Sequence, residues 1–202
     1  MVQESHFSKG DSFTFASRYF PLIYQAFSPR KRAGVAILIK RGTPFTCTDS
    51  YIDPLGHFII LRGTWHSRDI TLCTLYAPNA HQHRFLSRVL TRLAKSPHDL
   101  LVVGGDFNLP HSATWDRLVV NPRASQTKAL RDSKLFRQLT RKHALFDAWR
   151  ALHPGDRQFT FYSSPHHTHS RIDYFLVNNT TLRVTDSAQI LPISWSDHAP
   201  LP

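Results

Sequence analysis

The run Leu100-Leu101-Val102-Val103 stops at Gly104-Gly105-Asp106-Phe107-Asn108. A short, unbroken apolar run closed by glycines reads as a strand buried on both faces. Such a strand needs a covering layer above and below, which points to packed sheets and helices. Its end delivers a carboxylate, Asp106, and a carboxamide, Asn108. Two residues apart on extended backbone, both are expected on one side, with Phe107 turned into the core. Gly104-Gly105 is expected to let the backbone crowd close to something at that end.

The 202 residues fit one α/β domain with a sizeable core. Gly34-Val35-Ala36-Ile37-Leu38-Ile39-Lys40 reads as a central strand. Residues 57–65 and 69–76 read as a hairpin joined through Ser67-Arg68, and Pro78 stops the second strand. Over 82–95, Phe85, Leu86, Val89, Leu90 and Leu93 share one helical face, with Arg84, Arg88 and Arg92 off it. Residues 127–143 read as a second, strongly basic helix with Thr127 as N-cap. Residues 145–152 read as a short helix, and 159–162 and 172–177 as strands. Adjacent strands mixed with helix-separated ones predict sheets packed together with helices outside.

Lys and Arg total 25 against 14 Asp and Glu, a net charge of +11 that suggests a polyanionic partner. Lys31-Arg32 and the basic second helix read as solvated faces or phosphate contacts. Cys47 and Cys73 offer neither a disulfide framework nor zinc spacing, and a reducing compartment fits them. No signal-peptide pattern and no membrane-length apolar run is present.

Three sites offer acids or imidazoles besides Asp106. Asp173 sits within a strand-like run, where a half-buried carboxylate needs a partner, and a histidine is a natural one. Asp197-His198 supplies an acid and an imidazole near the C-terminal end. His166-His167-Thr168-His169 invites a metal reading, but it lacks helical i,i+4 pairing and a fourth ligand, so it reads as a polar loop.

Six motifs follow one another: Gln3-Glu4-Ser5-His6, Gly34-Val35-Ala36-Ile37, Tyr76-Ala77-Pro78-Asn79, Gly104-Gly105-Asp106-Phe107-Asn108, Ser170-Arg171-Ile172-Asp173-Tyr174 and Ser196-Asp197-His198-Ala199-Pro200. In that order they resemble the endonuclease/exonuclease/phosphatase superfamily over essentially the whole chain. The stretch from Phe159 to Asp173 and the ending Leu191-Pro192-Ile193-Ser194-Trp195-Ser196-Asp197-His198 narrow the match. They look most like the endonuclease domain of the second open-reading-frame protein of LINE-type non-LTR retrotransposons.

The resemblance implies an α/β fold, a four-layer sandwich of two packed mixed β-sheets flanked by helices. It implies Mg²⁺-dependent phosphodiester hydrolysis, with Mn²⁺ as a possible substitute. The implied partner is double-stranded DNA, in a nuclear setting, with reverse transcriptase elsewhere in a larger polyprotein. Glu4 resembles the metal-binding glutamate and Asp197 a second acid near the metal. Asp106 resembles the aspartate that orients and deprotonates the attacking water, and Asn108 the residue that holds the phosphate or that water. Tyr76 resembles the phosphate-contacting tyrosine, and Asp173 the carboxylate that orients the catalytic histidine, here His198. Thr160 and Ser196 are weaker phosphate-contact candidates. A phosphodiester repels hydroxide, so a hard cation and hydrogen-bond donors must offset the charge growing on phosphorus.

Against the family pattern, the strand that ends in an active-site asparagine before Gln3-Glu4 and the strand after Ser196-Asp197-His198 are absent from the sequence. The expectation is a single domain over 1–202 truncated at both ends, weakly stable and impaired in activity. Other readings stay open: a non-catalytic DNA-binding remnant, an abasic-site repair endonuclease, or a phosphatase or sphingomyelinase acting on lipid or inositol substrates.

Overall fold

The computed structural model describes all residues except 8–10, 12–16, 30–32, 120–125 and 195. Lys31-Arg32 and Trp195 therefore lie outside the described residues. β1 (Leu22–Ala26) and β2 (Val35–Ile39) form an antiparallel ribbon. Then come β3 (Phe45–Ile52), β4 (Phe58–Trp65), β5 (Arg68–Tyr76), helix α1 (Gln82–Leu93) and β6 (Leu100–Asp106). The second half holds β7 (Arg117–Val119), α2 (Gln126–Lys142), β8 (Phe146–Asp147), α3 (Ala148–Leu152), β9 (Phe161–Ser163), β10 (Thr168–Ser170), β11 (Asp173–Val177) and α4 (Asn179–Leu182).

The main sheet runs β3-β4-β5-β6-β11-β8, and β7-β10-β9 form a smaller one. Only β5 and β6 pair in parallel within the main sheet, and α1 makes the crossover that a parallel pair requires. Alternation along β4 builds two cores at once. Ile59 and Leu61 pack with Val35, Ile37 and Ile39 of the β1–β2 ribbon. Phe58 and Ile60 point the other way, packing with Leu86, Val89 and Leu90 of α1 and Phe136 of α2. The result is the α/β arrangement of packed mixed sheets with helices outside that the motifs implied.

Local boundaries differ in three places. The β4–β5 turn is His66-Ser67, one residue earlier than expected; both residues are left-handed, with φ of 47° and 63°, as a two-residue hairpin turn requires. Helix α2 begins at Gln126, so Thr127 lies inside the first turn and does not cap it. Phe146–Asp147 pairs with β11 as a strand, and only then does Asp147 cap α3, its Oδ1 accepting from the Arg150 amide at 3.1 Å. As the glycine pair implies, a neighbouring strand crowds it: a Cβ on Gly105, whose φ is 143°, would lie 2.0 Å from the Leu75 carbonyl oxygen.

Candidate active site

Sheet register sets the first part of the site. In the antiparallel β6–β11 ladder Asp106 stands opposite Asp173, and in the parallel β5–β6 ladder Tyr76 stands level with Asp106. Three functional candidates far apart in sequence thus meet at one rim of the main sheet. Asp106 is only 3% exposed. Its Oδ1 accepts the Asn108 amide at 2.7 Å. Burial and the facing Asp173 charge push its carboxyl up to about 8, against the pull of the Asn108 amide and His198.

His198 arrives on a segment tied to the smaller sheet. It bridges Phe161, and the Ala199 amide donates to the Thr160 carbonyl at 2.7 Å. Its ring packs on Phe161 with centroids 4.7 Å apart, and Nδ1 lies 2.9 Å from Oδ2 of Asp173. Burial pulls the imidazole pKa down. The Asp173 hydrogen bond and the charges of Asp173, Asp106 and Asp197 outweigh it and lift the ring to about 9. The ring is therefore cationic at neutral pH, with Nδ1–H donating to Asp173.

Glu4, Asp106, Asp173, Ser196, Asp197 and His198 line one cleft of about 400 Å³. Glu4 rides on an N-terminal segment fixed by the Val2–Ala36 backbone pair and by Gln3, whose Nε2 donates to Thr74 Oγ1 at 2.9 Å. The Ser196 hydroxyl accepts the His198 amide at 3.1 Å.

Tyr76, Asn108 and Thr160 lie outside that lining. The strand ends at Asp106, and Asn108 is left-handed, with φ of 49°. The expected alternation therefore does not extend to it, although Phe107 is fully buried as expected. The Asn108 side chain donates from Nδ2 to the Ala77 carbonyl at 2.8 Å and touches Tyr76. Burial, Glu4 and Asp106 push the Tyr76 phenol up, so it stays protonated. Thr160 is fully buried, and its hydroxyl accepts the amides of Ile172 and Asp173 at 3.1 and 3.2 Å. Its role on this geometry is to hold the backbone beneath Asp173.

One carboxylate oxygen of Asp106, one of Asp173 and one nitrogen of His198 all lie within 4.8 Å of one another. Two facing carboxylates, one of them buried, repel each other, and a cation between them relieves that repulsion. Carboxylate oxygens suit a hard divalent ion, so the donor set fits a metal centre. In the histidine tract, His167 Nδ1 lies 3.3 Å from the Tyr162 hydroxyl and the His169 ring packs tilted against Tyr162, centroids 4.7 Å apart. None of the three histidines joins the acidic cluster among the described residues.

Arg171 is a residue that pattern reading passed over. It is 1% exposed and sits between Trp149 and Tyr174, its guanidinium 5.0 and 4.7 Å from the two rings. Asp116 binds it at 2.9 Å and Asp147 at 2.7 Å. Its carbonyl accepts the Tyr174 hydroxyl at 2.5 Å. A buried ionic knot two residues before Asp173 fixes where β11 begins. The available signal was a charge inside an otherwise strand-like run.

The model of the endonuclease/exonuclease/phosphatase family matches residues 1–198. The chain belongs to this family. A transposon TX1 uncharacterized 149 kDa protein from Xenopus laevis is 29% identical over 148 residues, 71% of this chain and 11% of that protein. The chain thus spans about a tenth of that relative's length. The family fold also appears in solved structures. The AP endonuclease LMAP from Leishmania major superposes with a TM-score of 0.74 at 17% identity, covering 98% of this chain and 75% of that one. The 3′-5′ exonuclease NExo from Neisseria meningitidis gives 0.70 at 18%, covering 98% and 85%. An AP endonuclease from Archaeoglobus fulgidus gives 0.68 at 19%, again covering 98% and 85%. Among the described residues no helix is long and apolar enough to cross a membrane.

Proposed function

We propose that this family member is a divalent-metal-dependent phosphodiester hydrolase that nicks double-stranded DNA, of the kind found in LINE-type retrotransposons. The observation that carries the reading is the Asp106–Asp173–His198 constellation in one cleft. Asp106, in its ionised form, accepts the proton of the attacking water; burial and the facing Asp173 make that carboxylate a stronger base than a free one. His198, oriented by Asp173, uses its remaining N–H to donate to a non-bridging phosphoryl oxygen. Tyr76 and Asn108 flank Asp106 behind the cleft lining and hold the reacting acids in place, the Asn108 amide on Asp106 and the Tyr76 phenol on Glu4. The water oxygen bonds to phosphorus, the bond to the leaving sugar oxygen breaks, and the water's proton passes to Asp106. Glu4 and Asp197, with the facing Asp106 and Asp173 beside them in the cleft, would supply oxygen donors for Mg²⁺ or Mn²⁺, which would offset charge building on phosphorus.

The transposon relative supports assigning this activity to a larger element protein; on the LINE-type reading that protein also carries reverse transcriptase and works in the nucleus. Residues 1–202 then act as one endonuclease domain. Nicking of supercoiled plasmid in Mg²⁺, abolished by EDTA and by Asp106→Ala, is the expected result. Salt-dependent DNA binding with no cleavage in either metal, the same for wild type and His198→Ala, would leave a DNA-binding remnant instead. The AP endonucleases of similar fold favour a second reading, incision at abasic sites. Much faster cleavage of abasic than intact duplex would select it.

A further inference from the structure

The positive charge of this chain is unevenly placed. Helix α1 carries Arg84, Arg88 and Arg92 and no acid. Helix α2 carries six lysines and arginines against Asp132 alone. The two helices therefore hold eight of the chain's eleven net positive charges. Both bury apolar side chains in the same core, which leaves the cations outside; all are exposed except the half-buried Arg137. Among the described residues only Arg131 of this set has a carboxylate at ion-pair distance, Asp132 at 3.5 Å.

Arginines spaced at i and i+4 repel one another and weaken the helix that carries them. A polyanion laid along the stripe reverses the sign of that term. Two of the guanidiniums are already set in place: Arg92 stacks 3.8 Å over the Tyr51 ring and Arg88 lies 5.7 Å over Phe85. Ordered side chains lose less freedom on binding. The stripe also starts beside the cleft, where Gln82 at the head of α1 donates to the Asn108 carbonyl at 3.3 Å. From there a helix of this length extends about 18 Å. The apolar face of α1 is turned inward, and among the described residues of α2 only Leu130 is an exposed large apolar side chain, so neither helix offers the continuous hydrophobic side that a membrane-surface helix inserts.

We propose that the outer face of α1 and α2 is a second binding surface, separate from the cleft, for the phosphate backbone of nucleic acid. The nature of the polyanion rests on the nuclease reading; the surface itself does not. It contacts phosphates in any sequence and holds a long strand against the domain.

The test is a variant carrying Arg84→Gln, Arg88→Gln, Lys128→Gln, Lys134→Gln, Arg141→Gln and Lys142→Gln, which keeps Arg92 on Tyr51. Binding of labelled duplex DNA and single-stranded RNA, each of about 30 nucleotides per strand, is read by anisotropy in EDTA across a salt series. The variant is expected to bind at least about tenfold more weakly at low salt, with a salt slope shallower by about one unit per lost phosphate contact. Its melting temperature and its cleavage of a short duplex confined to the cleft are expected to match wild type. Should that variant melt early, Arg84→Gln/Arg88→Gln alone is expected to show a smaller loss of the same kind. A folded variant with an unchanged slope overturns the proposal. So does anionic phospholipid vesicle binding that matches nucleic-acid binding and disappears in the same variant. A chain that binds through this surface yet cleaves nothing in Mg²⁺ sinks the nuclease reading and leaves the surface standing.

Discussion

Asp106 and Asp173 are direct partners across the antiparallel β6–β11 ladder, and His198 Nδ1 meets Oδ2 of Asp173 at 2.9 Å. Removing the Asp173 charge while keeping its shape separates its roles. Asp173→Asn is expected to lower nicking by about a hundredfold or more, the scale of losing a positioned acid–base group. The His198 pKa is expected to fall from about 9, because the hydrogen bond that raises it most weakens with the charge. An NMR titration of the imidazole reads that shift directly, and an unmoved pKa would refute the pairing.

The facing carboxylates also predict how the fold responds to metal. A cation that binds only the folded chain stabilises it by about 2.7 kcal/mol at a hundred times its dissociation constant. Mg²⁺ or Mn²⁺ should therefore raise the melting temperature of wild type and have a much smaller effect on Asp106→Asn. EDTA should return both proteins to similar values. Equal stabilisation of the two would place the ion elsewhere.

Arg171 makes the strongest stability prediction. Arg171→Met leaves Asp147 a buried carboxylate without its cation and Asp116 with Arg150 alone at 3.3 Å, at a cost of about 3–5 kcal/mol. Arg171→Lys keeps the charge but loses the planar fork that reaches two acids, so it should fall between Met and wild type in urea denaturation. If Arg171→Met unfolds at the wild-type midpoint, the knot is not holding β11.

His111 gives the fold a pH dependence. Its ring packs against Phe136 and Tyr174, and burial holds its pKa below the usual histidine range, although Asp147 and Asp116 pull the other way. As pH falls below about 6.5, the unfolded chain takes up a proton that the folded one resists, so stability falls with acidification. Melting temperature should drop between neutral pH and the range below the ordinary histidine pKa. In His111→Asn that slope should be shallower. A slope identical to wild type would remove His111 from the account.

Much of this architecture is legible in the sequence because burial on two faces leaves a plain pattern. β4, β5 and β6 each carry apolar residues into both cores, so their runs are nearly unbroken. β3 was not legible, since Phe45–Ile52 is an edge strand with mostly exposed residues and a register irregularity between Cys47 and Asp49. β1 is short and mostly part-exposed, and its partner strand supplies the evidence that it exists. At the site, the motifs picked out six residues that line a common cleft. Asn108 was misplaced because alternation assumes extended backbone, and one left-handed residue cancels it. Thr160 and Arg171 act through backbone amides and buried ion pairs formed with residues remote in sequence, which no local pattern encodes.

The acid pair owes its spacing to main-chain hydrogen bonds between two interior strands. Exchange of the surrounding loops leaves that spacing alone. Surface segments can then vary while the facing acids stay where the ladder put them. A graft of foreign loops onto this scaffold should change which site is cut far more readily than whether it is cut.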